Sequence, residues 1–257
     1  MKIVALLSSF CCFGIFNLQA QLSSFHINCV NTDTITHHKV KLDPEYFVLG
    51  TLFEYSIPNN GRYSALDGVN LVDIYFPQEK SVARYMAKYI KEEFHIIVDT
   101  IFTRSNHCSI YSEEFSKRLN HFYDKNGLLN DSIFKTREQI CSFITGVFYR
   151  YGWKIDSMIY GIRYYCPHKY LNLKLLLEYD CESLLYKKSR SIYFRPGKEL
   201  ENYLFTIEDE NSICSSDWDE YIYNMAKEHL SKEEFEKDSN ESKLKLKIQL
   251  RSIFLNY

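Results

Sequence analysis

The chain has 257 residues, with 31 Lys and Arg against 33 Asp and Glu, for a formal charge of −2. This near-neutral balance argues against a general nucleic-acid binder, which is more often basic, and the length is enough to bury a substantial core. Twenty-one Tyr and 18 Phe supply large apolar bodies that suit half-buried strands and binding faces alike.

The first segment reads as an export signal. Lys2 is a minimal positive start, Ile3 to Phe16 is uncharged and mostly apolar, and Ala20 is small enough to predict a cut before Gln21. Leu18 fits the cleavage pattern less well than Ala20 does. The apolar run is short for a membrane helix, which needs ~20 such residues, and no later segment approaches that length. The expectation is a secreted or periplasmic protein with no membrane span after cleavage. Removing residues 1–20 takes away a single charge, Lys2, and leaves 237 residues at −3.

Cleavage also removes two of the eight cysteines. Cys29, Cys108, Cys141, Cys166, Cys181 and Cys214 remain, an even set that an oxidising compartment can pair. Their connectivity is open. Cys166–Cys181 is the natural local pair, because it would tie two adjacent predicted strands. No CxxC occurs, so zinc-ribbon and thioredoxin-like chemistry lack their usual ligands.

Residues 21–44 are polar and irregular. Tyr46 to Ile57, rich in aromatic and β-branched residues, predicts a strand closed by a turn at Pro58-Asn59-Asn60-Gly61. Asn70 to Phe76 predicts a second strand, and Pro77 opens a helix. Val82, Tyr85, Met86, Tyr89, Ile90 and Phe94 then fall on one helical face. His95 to Thr103 is β-like. Ser112 caps a helix with Glu113 and Glu114 in its positive first turn; Phe115, Leu119, Phe122 and Tyr123 form its apolar face, and Gly127 ends it. A helix after Asp131 carries Ile140, Phe143, Ile144, Val147, Phe148 and Tyr151, with Gly152 as its C′ residue.

Strands are predicted over Lys154 to Tyr165, Tyr170 to Tyr179, Ser191 to Phe194 and Tyr203 to Ile207. Ser216 is read as the cap of another helix. Strict Lys/Leu alternation over Lys243 to Leu250 predicts a final strand. There is no internal repeat and no long linker. The order predicts an α+β fold, residues 21–257 as one domain, with a mainly antiparallel sheet packed by about four amphipathic helices.

The run Cys141-Ser142-Phe143-Ile144-Thr145-Gly146-Val147-Phe148-Tyr149-Arg150-Tyr151-Gly152 resembles the nucleophile helix of NlpC-type cell-wall cysteine peptidases. In that family a Cys-Ser-Gly begins a helix that ends in glycine. Here Gln139-Ile140 stand where the family places an Asp directly before the cysteine, and Phe143 replaces the glycine. His168 sits in Cys166-Pro167-His168 rather than in the family's His-Val-Gly-Ile strand. The resemblance implies an extracytoplasmic hydrolase of a cell-envelope or extracellular polymer, with Cys141 and His168 as catalytic candidates. Periodicity, however, puts Cys141 inside the helix beside the apolar face, the setting of a buried or bridged cysteine.

No metal site or cofactor is expected. His37-His38, His107-Cys108 and Cys166-Pro167-His168 lack the i, i+4 spacing that sets two ligands on one helix face. There is no GxGxxG, P-loop or GxSxG. Tyr186 to Lys198 is more suggestive. Lys187, Lys188, Arg190, Arg195 and Lys198 alternate with Tyr193 and Phe194 without an acid, which suits an anionic ligand and equally describes a basic hairpin turning at Pro196-Gly197. Lys243, Lys245 and Lys247 form a second basic row. The expectation is an exported binding or interaction domain with an aromatic and basic surface, whose partner is an anionic glycan or another extracytoplasmic protein.

Overall fold

In the computed structural model the described residues are 37–53, 71–102, 107–123, 129, 131–163, 166, 169–178, 181–185 and 191–254. The export signal with Ala20 and Gln21, Cys29, Gly127, His168, Lys187, Lys188, Arg190 and the predicted turn at 58–61 lie outside them. The described residues form an α+β architecture of eight α-helices and two antiparallel sheets, twice the expected number of helices.

Asp43 starts α1 (Pro44–Thr51): its Oδ1 accepts from the Glu45 and Tyr46 N–H groups, and Pro44 occupies the first helical position. These capping signals override the aromatic composition that predicted a strand from Tyr46. The first sheet has the order β1-β3-β2, from β1 (Leu71–Tyr75), β2 (Asp99–Phe102) and β3 (Cys108–Tyr111). Between β1 and β2, α2 (Lys80–Phe94) buries Val82, Met86 and Ile90, as its spacing predicts, and ends on His95 with φ 58°. Ser112 caps α3 (Glu113–Asn120) by accepting from the Phe115 N–H at 3.2 Å. Phe122 and Tyr123 are buried just past its end.

At the centre lies α4 (Arg137–Tyr151), started by Thr136 and Gln139 as a capping box and buried from Ile140 to Tyr151. It crosses α1 at backbone contact. A Cβ on Gly50 would lie 2.1 Å from the Phe143 carbonyl oxygen, and one on Gly146 would lie 2.0 Å from that of Phe47. Only two glycines allow this approach. Gly152 ends α4 in an extended conformation, φ −91°, and leads directly into a strand.

The second sheet has the order β4-β5-β7-β6, from β4 (Gly152–Lys154), β5 (Tyr160–Ile162), β6 (Glu182–Leu185) and β7 (Ile192–Arg195). The predicted Lys154–Tyr165 strand is thus part of a hairpin. Its turn is held by Asp156, whose Oδ1 accepts from the Met158 and Ile159 N–H groups at 2.9 Å each. Phe194 and Ile192 face the main core, and Tyr193 faces a smaller cluster with Ile159 and Leu250.

Three further predicted strands are helical. Tyr170 to Tyr179 falls largely in α5 (Lys169–Glu178), Tyr203 to Ile207 in α6 (Lys198–Thr206), and Lys243 to Leu250 in α8 (Lys232–Phe254). The first and third are Leu-rich with Lys, Asn, Gln and Glu and hold at most one β-branched residue, so helix propensity outweighs the two-residue alternation. α7 (Glu208–Ala226) starts eight residues before Ser216, with Glu208, Asp209 and Glu210 in its positive first turn. Asn211 of α7 is buried and donates from Nδ2 to the Phe148 and Tyr149 carbonyls at 3.0 and 3.2 Å. The Tyr149 carbonyl belongs to the last turn of α4, where carbonyls lack an intrahelical partner, while that of Phe148 also accepts from the Gly152 N–H.

Candidate functional site

The described cysteines form no disulfide. Cys108, Cys141, Cys166, Cys181 and Cys214 are buried thiols, so the expected Cys166–Cys181 bridge is not formed: α5, a helix, stands where an adjacent strand was expected. Cys141 lies in the second turn of α4, not at its start. Burial, with Glu199 and Cys181 adding to it, pushes its thiol up to about 12. Burial also raises Cys108 and Cys214. A nucleophilic cysteine needs the opposite, a thiolate favoured by a helix N-terminus or a cation. Among the described residues no three His, Cys, Asp or Glu side chains gather to hold a metal ion, and no helix is long and apolar enough to cross a membrane.

A dense buried charge cluster among the described residues went unread in the sequence. Arg150 is fully buried near the end of α4 and uses all five guanidinium donors. Nη1 donates to Asp73 Oδ2 at 2.6 Å and to the Thr51 carbonyl at 2.7 Å. Nη2 donates to Glu79 Oε2 at 2.9 Å and to the Ile74 carbonyl at 2.7 Å, and Nε to Glu79 Oε1 at 3.1 Å. The Tyr75 ring lies under the guanidinium at 4.4 Å and Tyr151 at 5.2 Å. Burial alone would lower the Arg150 pKa; Glu79, Tyr151 and Asp73 outweigh it and hold the group well above its ordinary value. With every donor engaged, this cluster joins α1, β1 and α4 and leaves no group for a ligand. A signal existed: Asp73 is a lone acid inside an apolar strand, and Arg150 a lone cation inside an apolar helix face.

A second cluster lies where the N-terminal segment meets α6. The His38 N–H donates to Asn202 Oδ1 at 3.3 Å, the Val40 N–H to Thr206 Oγ1 at 2.9 Å, and the His37 ring stacks on Phe205 at 5.3 Å. Beside them Glu201 is buried, its Oε1 3.9 Å from His37 Nε2. Burial raises the Glu201 pKa despite the opposing pull of His37, Lys154 and Arg195. Tyr160, also raised first by burial and then by Glu201, completes the group. The arrangement sets a buried carboxyl beside an imidazole at a docking contact of the chain.

The basic stretch is divided by the fold. Tyr193 is buried, with Trp153 edge-on at 5.8 Å and α8 behind it. Arg195 is half-buried near Glu201, and Lys198 is exposed at the start of α6. The described residues therefore keep Arg195 and Lys198 for the surface and remove Tyr193 from it. Elsewhere Arg163 lies between both tryptophans, 5.5 Å from Trp153 and 5.0 Å from Trp218, and donates to the Gly152 carbonyl at 3.2 Å. This contact pins α7 to β4.

The other basic row changes character because α8 is a helix. Alternating Leu and Lys wind around it, so Leu246 and Leu250 turn inward while Leu244 and Ile248 turn outward, 56% and 60% exposed. Lys237, Lys247 and Arg251 lie within one or two turns on the same side as this pair, with Lys245 next to it. Lys243 pairs with Asp219 at 2.8 Å and Lys245 with Glu241 at 3.9 Å; Arg251 Nε donates to the buried Asp156 Oδ2 at 2.6 Å. Residues 243–254 contain four cations and no acid. No family model, curated protein or solved structure matches the chain.

Proposed function

We propose that the protein is an exported binding domain whose partner is anionic and is engaged by the outward face of α8. The observation that carries this reading is the pair of exposed aliphatic side chains, Leu244 and Ile248, set among Lys237, Lys245 and Lys247. The cations attract a negatively charged surface from a distance, and the aliphatic pair is covered on contact. Lys247 has no acidic partner among the described residues, and the pairs of Lys243 and Lys245 are exposed and cheap to exchange for a ligand's charges.

The test uses the full chain and an immobilised sulfated glycan, heparin, as the anionic probe. Wild-type protein is retained at low salt and released as salt screens the charges over a Debye length of ~10 Å at 0.1 M. Lys245→Glu/Lys247→Glu elutes at least several-fold earlier in salt concentration, and Leu244→Ser/Ile248→Ser falls between. Equal retention of wild type and the charge-reversed variant removes this reading.

A further inference from the structure

We propose that the free edge of β2 pairs with the same edge of a second copy, joining two three-stranded sheets across a two-fold axis. The proposal is independent of the α8 reading. Among the described residues β2 ends the order β1-β3-β2 and is bonded only to β3. All four of its residues are exposed, whereas Cys108, Ser109 and Ile110 of β3 are buried. β2 therefore projects beyond the core with both faces bare. Ile97 is 78% exposed, Ile101 52% and Phe102 48%. Edge strands of this kind template further pairing unless charge, proline or a cover prevents it. From Ile96 to Phe102 the only charge is Asp99.

The charges around β2 favour a second copy as the occupant. Lys80 at the start of α2 lies over the Phe102 ring at 5.7 Å. Lys80 and Arg84 both act on Cys108, the residue across the ladder from Phe102. The Phe102 end of the strand is thus positive. At the other end the strand itself carries a carboxylate, Asp99. Antiparallel pairing of two identical edges sets each positive end beside the partner's negative end, twice over.

The register follows from the same rule. An axis through Thr100 places Asp99 opposite Ile101 and Val98 opposite Phe102, so unlike side chains meet. An axis through Asp99 would set two carboxylates face to face, which is destabilising. The contact is short and falls below the ~1,200 Å² typical of stable interfaces, so the dimer is weak and forms as concentration rises.

Two measurements on the full chain test this. Sedimentation of wild type shows a monomer–dimer equilibrium that shifts toward dimer with concentration, and Ile101→Lys, at an exposed site, weakens it at least ten-fold with an unchanged circular dichroism spectrum. Thr100→Cys meets its own copy on the axis at a Cα separation that a disulfide can bridge. Under mild oxidation it gives a covalent dimer faster than Ser212→Cys, an exposed control on α7, and faster than wild type. A wild type that stays monomeric up to millimolar concentration overturns the proposal. So does a dimer untouched by Ile101→Lys, or Thr100→Cys cross-linking no faster than the control.

Discussion

Helices α4 and α8 both carry charge next to apolar side chains, and they use it in opposite ways. In α4, Arg150 is sealed from water, meets two carboxylates and two carbonyls, and leaves no donor idle. In α8, Lys243 and Lys245 stay wet, pair at the surface and flank two exposed aliphatic residues. A buried charge is costly to leave unpaired, so its partners are fixed by the fold. A surface charge contributes little to stability and remains free for other partners.

The largest effect is expected where that contrast is broken at its buried side. Arg150→Met strands Asp73 and Glu79 in a dry interior and should cost about 3–5 kcal/mol, read as a fall in urea midpoint. The triple variant with Asp73→Asn and Glu79→Gln should recover part of the loss, because the orphaned charges go with the arginine. A triple variant no more stable than the single one would mean that Arg150 acts by packing alone.

Glu201 lies between the two extremes, and its effect depends on pH. Burial raises its folded pKa above the ordinary value of 4.5. Its contribution to stability is therefore full below that ordinary value and is lost as pH rises through the raised one. Glu201→Gln keeps the shape and removes the titration. The variant should match wild type in acid and become the more stable of the two near neutrality, as urea midpoints taken at both pH values would show. A gap that does not change with pH would mean the carboxyl does not titrate as described. The smallest effect belongs to the surface: Lys243→Ala, which removes the exposed pair with Asp219, should change stability by less than ~1 kcal/mol.

Much of this contrast escaped the sequence for a definite reason. Helix α2 was legible because Val82, Met86 and Ile90 repeat at 3.6-residue spacing among charges, and α3 because Ser112 and two acids mark its start. β1 and β7 were legible as short apolar runs. The α5 and α8 segments misled because Leu at every second position satisfies a strand and, in Leu/Lys-rich composition, also a helix. Reading α8 as a strand hid the outward face now proposed to bind, because a strand would have put all four aliphatic residues on one side. The basic stretch near Tyr193 was visible by composition, yet no local pattern could reveal that α8 would cover the tyrosine. The Arg150 cluster joins residues whose separation in sequence reaches 99 positions, beyond any local pattern.

The close crossing of α1 and α4 has a consequence for the order of assembly. Gly50 and Gly146 each leave room for the other helix's backbone, which occupies the space a side chain there would need. Six of the eight residues of α1 are buried, yet the surface that covers them is made about a hundred residues later in the chain, so their burial adds to contact order and slows folding. During synthesis α1 is a short apolar segment awaiting its counterpart, exposed to misassociation until α4 follows. A chain that stays extended until it is complete avoids that interval.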